Sequence, residues 1–178
     1  STRYIREKDG SEIYTDSKRS LQVDQEQNWM SYSDPTALPA GESTPAKDAL
    51  EAVDFVNQHG GWNGSYRLAA SEEGTEEQLA AAEDGNQERL VSFQQYYGSY
   101  PYGSYPIMNK PQLWYGVINL DLQQGTVSSY ERSLMYVDET KAIKKVVELS
   151  GGETLKNQLA QIGKASSVKE LAPAYVPV

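Results

Sequence analysis

The stretch 113–137, LWYGVINLDLQQGTVSSYERSLMYV, decides the fold class, because it has the pattern of a β-hairpin. Four apolar residues stand at even spacings and therefore share one face of a strand: Trp114, Ile118, Leu120 and Leu122. The glycine-containing segment 123–125 predicts a reversal, and a return strand is expected to run to Val137.

The segments upstream of this hairpin also have strand character. Residues 89–97, RLVSFQQYY, alternate between apolar and polar positions, which predicts a strand with one wetter face. The first 35 residues have the pattern of a meander of short strands. Asp9-Gly10 predicts a tight hairpin, because this residue pair readily takes positive φ angles. A second reversal is expected at 24–28, and Asp34-Pro35 ends the sheet segment.

One helix is predicted between these strands. Ser43 or Thr44 can cap its start, and Pro45 suits the first helical position. Apolar residues then recur at helical spacing: Ala46, Ala49, Leu50, Val53 and Val56. Gly60-Gly61 ends the helix, and we interpret His59 in the last turn as a capping residue in preference to a ligand contact.

The rest of the chain completes an α+β pattern. The acidic segment 72–88 fits a brief helix or a solvated loop equally well, and 141–149 fits a strand or a helix. A short helix is expected within 150–163, followed by an extended terminus. Strand and helix do not alternate regularly. We therefore predict an antiparallel β-sheet of hairpins with helices packed on one face.

The domain prediction follows from the length and the order of the segments. A chain of 178 residues can bury a core of its own, so we expect a single domain over 1–178. Within it we distinguish a lead-in β meander at 1–35, a linker at 36–45 and a main αβ body at 46–178.

Composition excludes several classes of partner and site. The chain has 25 acidic and 16 basic residues, and its net charge of -9 disfavours nucleic acid and anionic membrane surfaces. Cysteine is absent, so disulfides and thiolate metal sites are impossible. No run of eighteen apolar residues occurs, so we expect either a cytoplasmic protein or one whose leading segment lies before Ser1.

Catalytic patterns are equally scarce. A single histidine cannot make an imidazole pair for a metal, and neither an HExxH nor a GxSxG motif occurs. Acidic residues are scattered, and on the outgoing strand of the hairpin Asp121 has only the amide of Asn119 as its same-face neighbour two residues back. We therefore predict no catalytic, cofactor-binding or metal-binding residue, and a protein that is not an enzyme.

A tandem repeat is the most unusual local feature of the chain. The pentapeptide YGSYP occupies 97–101 and again 102–106. A period of five puts matching residues on opposite faces of a strand, and the prolines interrupt ladder pairing, so the segment is expected to be a loop or a broken edge. Exposed tyrosines can contact a ligand or a protein partner, whereas a duplicated surface loop would have no such role. The candidate contact residues are Tyr97, Tyr100, Tyr102, Tyr105 and Trp114.

Several of these strings together resemble a known family. The helix that ends at Gly61-Trp62, the strand that ends at 98–101, and the return strand with Arg132-Ser133-Leu134 are similar to the C-terminal part of the YycH family. The opening stretch 6–23 resembles the family's lead-in hairpin, and the likeness runs from about residue 4 to residue 175.

The resemblance implies a role that the residues alone do not. YycH proteins are extracytoplasmic regulators of the WalK/WalR (YycG/YycF) two-component system of Gram-positive bacteria, which controls cell-wall metabolism. The implied partners are the companion regulator YycI and the sensor histidine kinase WalK. The family also implies one N-terminal transmembrane helix before Ser1, localisation outside the cell membrane, and no cofactor.

Two further functions remain open beside this regulatory, non-enzymatic one. The alternative is a cell-wall polymer or carbohydrate-binding module that uses the tyrosine-rich loop, since aromatic rings stack on sugars. A weaker third is an acid-dependent hydrolase.

Overall fold

The structure is a computed structural model that describes residues 1–41, 43–73, 88–98, 103–108, 117–137, 153–154, 157 and 174–175. The chain forms two compact units, one of residues 1–137 with 175–178 and one of residues 138–174. In the second unit Glu153, Thr154 and Asn157 are helical, within the helix predicted at 150–163. The predicted element at 141–149 lies outside the described residues.

A nine-stranded antiparallel sheet forms the first unit, with the strand order β1-β2-β3-β4-β9-β8-β6-β5 and β7 paired to β6. The strands and the one helix of this unit that the described residues contain are β1 (Arg3–Arg6), β2 (Glu12–Thr15), β3 (Ser20–Asp24), β4 (Trp29–Ser33), α1 (Pro45–Gln58), β5 (Ser65–Glu73), β6 (Glu88–Tyr97), β7 (Tyr105–Pro106), β8 (Val117–Gln123) and β9 (Thr126–Ser133). The predicted α+β class with an antiparallel sheet is confirmed.

The hairpin that decides the fold class is the centre of this sheet. Ile118, Leu120 and Leu122 are completely buried on one face of β8, as their spacing predicts. Gln124 and Gly125 form the reversal with φ angles of 44° and 80°, the left-handed pair of a tight two-residue turn. The return strand β9 ends at Ser133, four residues before the predicted end, and Trp114 lies outside the described residues.

The lead-in strands belong to the same sheet as the hairpin. Gly10 and Asn28 take φ angles of 89° and 54° at the two predicted reversals. Strand β4 then pairs with β9, with Tyr32 opposite Tyr130, so residues 1–35 extend the central sheet. In the acidic segment Glu72 and Glu73 end strand β5, and Glu88 begins β6.

Helix α1 begins and ends at its predicted caps. Thr44 is the N-cap and accepts a hydrogen bond from the Lys47 N–H at 3.2 Å, and Pro45 occupies the first turn. His59 is the C-cap, and its ring stacks on Phe55 with 3.9 Å between centroids. The capping interpretation of His59 is thus confirmed. None of the helices in the described part of the chain has the length and apolarity that a membrane span needs.

The core lies between α1 and one face of the sheet. It consists of buried residues from α1, β6, β8 and β9: Ala52, Val56, Val91, Phe93, Ile118, Leu120, Leu122, Val127 and Tyr130. The buried stripe of α1 includes Asp48, whereas Leu50, which the apolar spacing places on the inner face, is 68% exposed. An ion pair explains why α1 turns Asp48 and not Leu50 towards the sheet, since Arg89 Nε on β6 donates to Asp48 Oδ2 at 2.6 Å.

Candidate functional site

The tyrosine repeat forms a hairpin that extends strand β6. Tyr97 lies directly opposite Tyr105 in the register of β6 and β7, so the second copy of the repeat ends in a short strand, while residues 99–102 lie outside the described residues. Gly98 and Gly103 have φ angles of 107° and 87°, and a Cβ on Gly98 would collide with the Gly103 carbonyl oxygen. Glycine in both copies therefore lets the two backbones approach closely.

A third tyrosine, Tyr175, joins the hairpin from the far end of the chain. The Tyr175 N–H donates to the Pro106 carbonyl at 2.9 Å, and the Met108 N–H donates to the Tyr175 carbonyl at 2.8 Å. Its ring lies 5.3 Å from that of Tyr97 and 6.2 Å from that of Tyr105. We call Tyr97, Tyr105 and Tyr175 the tyrosine cluster.

The tyrosine cluster combines one exposed ring with two half-buried rings. Tyr175 is 41% exposed, whereas Tyr97 and Tyr105 are half-buried. The planes of Tyr97 and Tyr175 meet at 79°, so the rings contact edge to face and form no flat platform. Exposed Met108 adds an adaptable apolar side chain beside the cluster.

The structure thus unites two of the five predicted contact residues. Tyr97 and Tyr105 come together in the cluster, and Tyr100, Tyr102 and Trp114 lie outside the described residues. Tyr175 was predicted only as part of an extended terminus and not as a contact residue. The parallel bridge between Ile107 and Tyr175 joins residues 68 positions apart, and no local pattern signals such a contact.

The residues that carried the family resemblance also meet in space. Arg132 on β9 donates from Nη1 to the Gly61 carbonyl at 2.7 Å and from Nη2 to Asn63 Oδ1 at 2.9 Å. Tyr66 donates to the same Asn63 oxygen at 2.7 Å, and burial raises the pKa of Tyr66 to about 12, which keeps its hydroxyl protonated as a donor. These bonds fix the turn after α1 to the end of β9, which is a structural role.

Two carboxylates stand on the sheet face opposite α1. Asp121 on β8 lies opposite Ser129, and Glu131 on β9 lies opposite Asn119, so the two carboxylates are diagonal neighbours. Burial raises the pKa of both groups, and the charge of Asp121 raises that of Glu131 further. No pattern in the sequence predicts this pair, because only the strand register brings the two residues together.

The raised pKa values predict a pH-dependent destabilisation by Asp121 and Glu131. A carboxyl whose pKa is higher in the folded state favours folding less as pH rises from its ordinary pKa to its raised folded pKa. We expect the double variant Asp121→Asn with Glu131→Gln to gain stability relative to the wild type as pH rises from about 3 to 7. Urea unfolding over this range measures the gain, and a stability difference that is constant with pH would contradict the prediction.

Within the described ranges, no group of three or more His, Asp or Glu side chains is arranged to hold a metal ion.

Comparison with known proteins gives a family match and a structural match. The family model described as "YycH protein, C-terminal domain" matches residues 2–176. The crystal structure of YycH from Bacillus subtilis matches with a TM-score of 0.64 and 14% sequence identity, a likeness of fold alone at this identity. The match covers 92% of this chain but 39% of that chain, so the present chain spans well under half of that protein. No curated protein matches the sequence.

Proposed function

Because the chain belongs to the YycH family as its C-terminal domain, we propose that it is a non-enzymatic regulatory domain of the YycG/WalK histidine kinase system. It acts outside the cell membrane through protein–protein contacts. The observation that carries this proposal is the family match over residues 2–176. The polar side chains support it, since Asp48, Arg89 and Arg132 are engaged in holding the fold.

Regulation of this kind requires a contact that distinguishes two states of the kinase. A bound domain shifts an equilibrium only by the difference between its affinities for the two states. We propose the companion regulator YycI and the extracytoplasmic part of WalK as the proteins contacted. In the full-length protein, one N-terminal transmembrane helix outside the present sequence would hold the domain at the membrane surface.

We place the contact at the tyrosine cluster. Tyrosine is enriched among the residues that dominate protein interfaces, because it offers a large rigid area with a polar tip. Tyr175 presents its ring at the surface, and the half-buried Tyr97 and Tyr105 hold it from two sides.

The change Tyr175→Ala tests this placement. We expect the variant to weaken capture of the kinase's extracytoplasmic domain or of YycI by about 30-fold, which corresponds to about 2 kcal/mol for one aromatic anchor. Biolayer interferometry with the purified domains measures the loss. Tyr136→Ala is the matched control, because Tyr136 is 76% exposed and does not belong to the cluster.

The same proteins separate the regulatory function from polymer binding. Peptidoglycan fragments titrated against the chain, with tryptophan fluorescence as the readout, should give no saturable signal. If Tyr175→Ala abolished fragment binding and left partner capture unchanged, the polymer-binding module would be the correct function. If the chain captured neither protein, the regulatory proposal would be wrong.

A further inference from the structure

Strand β1 is the outermost strand of the sheet, and no described strand pairs with its outer edge. All four of its residues are exposed. The Glu7 N–H donates to the Ser11 carbonyl at 2.9 Å, which fixes Glu7 as a position that bonds towards β2. Antiparallel strands alternate between bonded and non-bonded positions, so Arg3 and Ile5 also bond towards β2. The backbone N–H and C=O of Tyr4 and Arg6 therefore point outwards.

The two arginines of β1 make no ion pair with the residues that lie opposite them on β2. Arg6 lies opposite Glu12 in the register, but Glu12 accepts hydrogen bonds from the Tyr4 hydroxyl at 3.1 Å and the Tyr14 hydroxyl at 3.2 Å. Arg3 lies opposite the neutral Thr15. Neither guanidinium makes an ion pair within the described part of the chain, in contrast to Arg19, which pairs with Asp16.

We propose that β1 pairs antiparallel with β1 of a second copy of this chain. Outward-pointing groups must face each other, so the register can set Tyr4 opposite Tyr4, Tyr4 opposite Arg6, or Arg6 opposite Arg6 of the second copy. The register with Arg6 opposite Arg6 brings like charges together. The register with Tyr4 opposite Tyr4 places neither Arg3 nor Arg6 opposite an acidic residue. In the remaining register, Tyr4 lies opposite Arg6, Ile5 opposite Ile5 and Arg3 opposite Glu7 of the second copy. A two-fold axis passes through the Ile5 pair, so each of the other two pairs occurs twice.

This register is self-complementary in charge and shape. Each Arg3 gains the carboxylate of Glu7 from the other copy, and each Arg6 lies against a Tyr4 ring, a cation–π pair. Ile5, which is 44% exposed, meets its own copy on the axis. Charged edge strands commonly block such pairing with charges of one sign. The order Arg-Tyr-Ile-Arg-Glu instead carries opposite charges at mirrored positions.

Sedimentation velocity of the 178-residue chain over a range of concentrations tests the pairing. We expect a reversible dimer in the micromolar range, because the paired strands are short, and we expect added salt to weaken it. In hydrogen exchange, the Tyr4 and Arg6 amides should become protected as concentration rises, while amides in the β2–β3 turn do not change. A chain that stays monomeric at millimolar concentration would overturn the proposal.

Charge exchange between positions 3 and 7 tests the register. Arg3→Glu alone and Glu7→Arg alone should each weaken the dimer by about tenfold, since each places like charges opposite at two symmetry-related pairs. A mixture of these two variants should form a heterodimer at the wild-type strength, because both pairs then join opposite charges: the glutamate introduced at position 3 faces the arginine introduced at position 7 in one pair, and native Glu7 faces native Arg3 in the other. Lys18→Glu, which makes the same charge change at the exposed β2–β3 turn, should leave the dimer unchanged.

The mixture decides the matter. If it associated no more strongly than its two components, the proposed register would be wrong, and dimerisation that persisted in both single variants would place the interface elsewhere. Circular dichroism of each variant verifies folding, and the hydrogen exchange of the wild type needs no substitution at all. Protection of the Tyr4 amide only upon addition of another protein would assign the edge to that protein instead.

Discussion

Replacement of Asp48 by alanine is expected to lower the free energy of unfolding by about 3–5 kcal/mol. Asp48 is completely buried on the inner face of α1. Its Oδ2 accepts hydrogen bonds from Arg89 Nε and from the Ser43 hydroxyl. Without the carboxylate, the guanidinium of Arg89, which is 2% exposed, would lose Asp48 as an ion-pair partner inside the protein. Removal of one partner of a buried ion pair costs far more than the loss of a surface contact.

Urea unfolding of Asp48→Ala measures this loss, with Asp54→Ala as the control. Asp54 is exposed on the same helix, so its replacement should change the stability by no more than about 0.5 kcal/mol. The double variant Asp48→Leu with Arg89→Met replaces both charges by apolar side chains, and it should recover much of the stability. Equal effects of Asp48→Ala and Asp54→Ala would show that the ion pair does not hold α1 to β6.

Asp48 also shows where prediction from sequence stops. The strands at 117–123 and 126–133 follow from local alternation and a glycine turn, and both are present. The caps of α1 at Thr44 and His59 follow from equally local chemistry. The buried face of α1 does not, because Asp48 turns inwards to reach Arg89, 41 residues along the chain. A helical pattern of apolar residues contains no information about that partner.

The same limit applies to the candidate site. The prolines and the five-residue period predict a loop or broken edge at 97–106, and of the described residues in this stretch Tyr97 ends β6 and Tyr105 and Pro106 form the two-residue strand β7. Tyr175 and the pair of Asp121 with Glu131 depend instead on which segments lie side by side. Register is set by the burial of a whole strand face, so it emerges only when the sheet is assembled.

Replacement of Arg132 by alanine is expected to have the second-largest effect, a loss of about 2–4 kcal/mol of unfolding free energy. Arg132 is 5% exposed, and its donors serve the Gly61 carbonyl, Asn63 Oδ1 and the Tyr130 hydroxyl. These acceptors are buried at Tyr130 and part-buried at Gly61 and Asn63, and all three would lose their charged donor. Arg132→Lys should recover little, because an ammonium group cannot reach acceptors on two sides as the planar guanidinium does.

The Arg132 effect has a local signature that separates it from a general loss of packing. The turn that Arg132 holds contains Trp62, whose ring packs 5.2 Å from Phe93, so near-ultraviolet circular dichroism should change in Arg132→Ala even where the chain stays folded. Arg67→Ala is the control, since exposed Arg67 lies 4.0 Å above the Tyr96 ring and should contribute about 0.5–1 kcal/mol. If Arg132→Ala cost no more than Arg67→Ala and left the Trp62 signal unchanged, the bonds from β9 would not be what fixes the turn after α1. Some other contact would then have to hold Gly61-Trp62 against the end of β9.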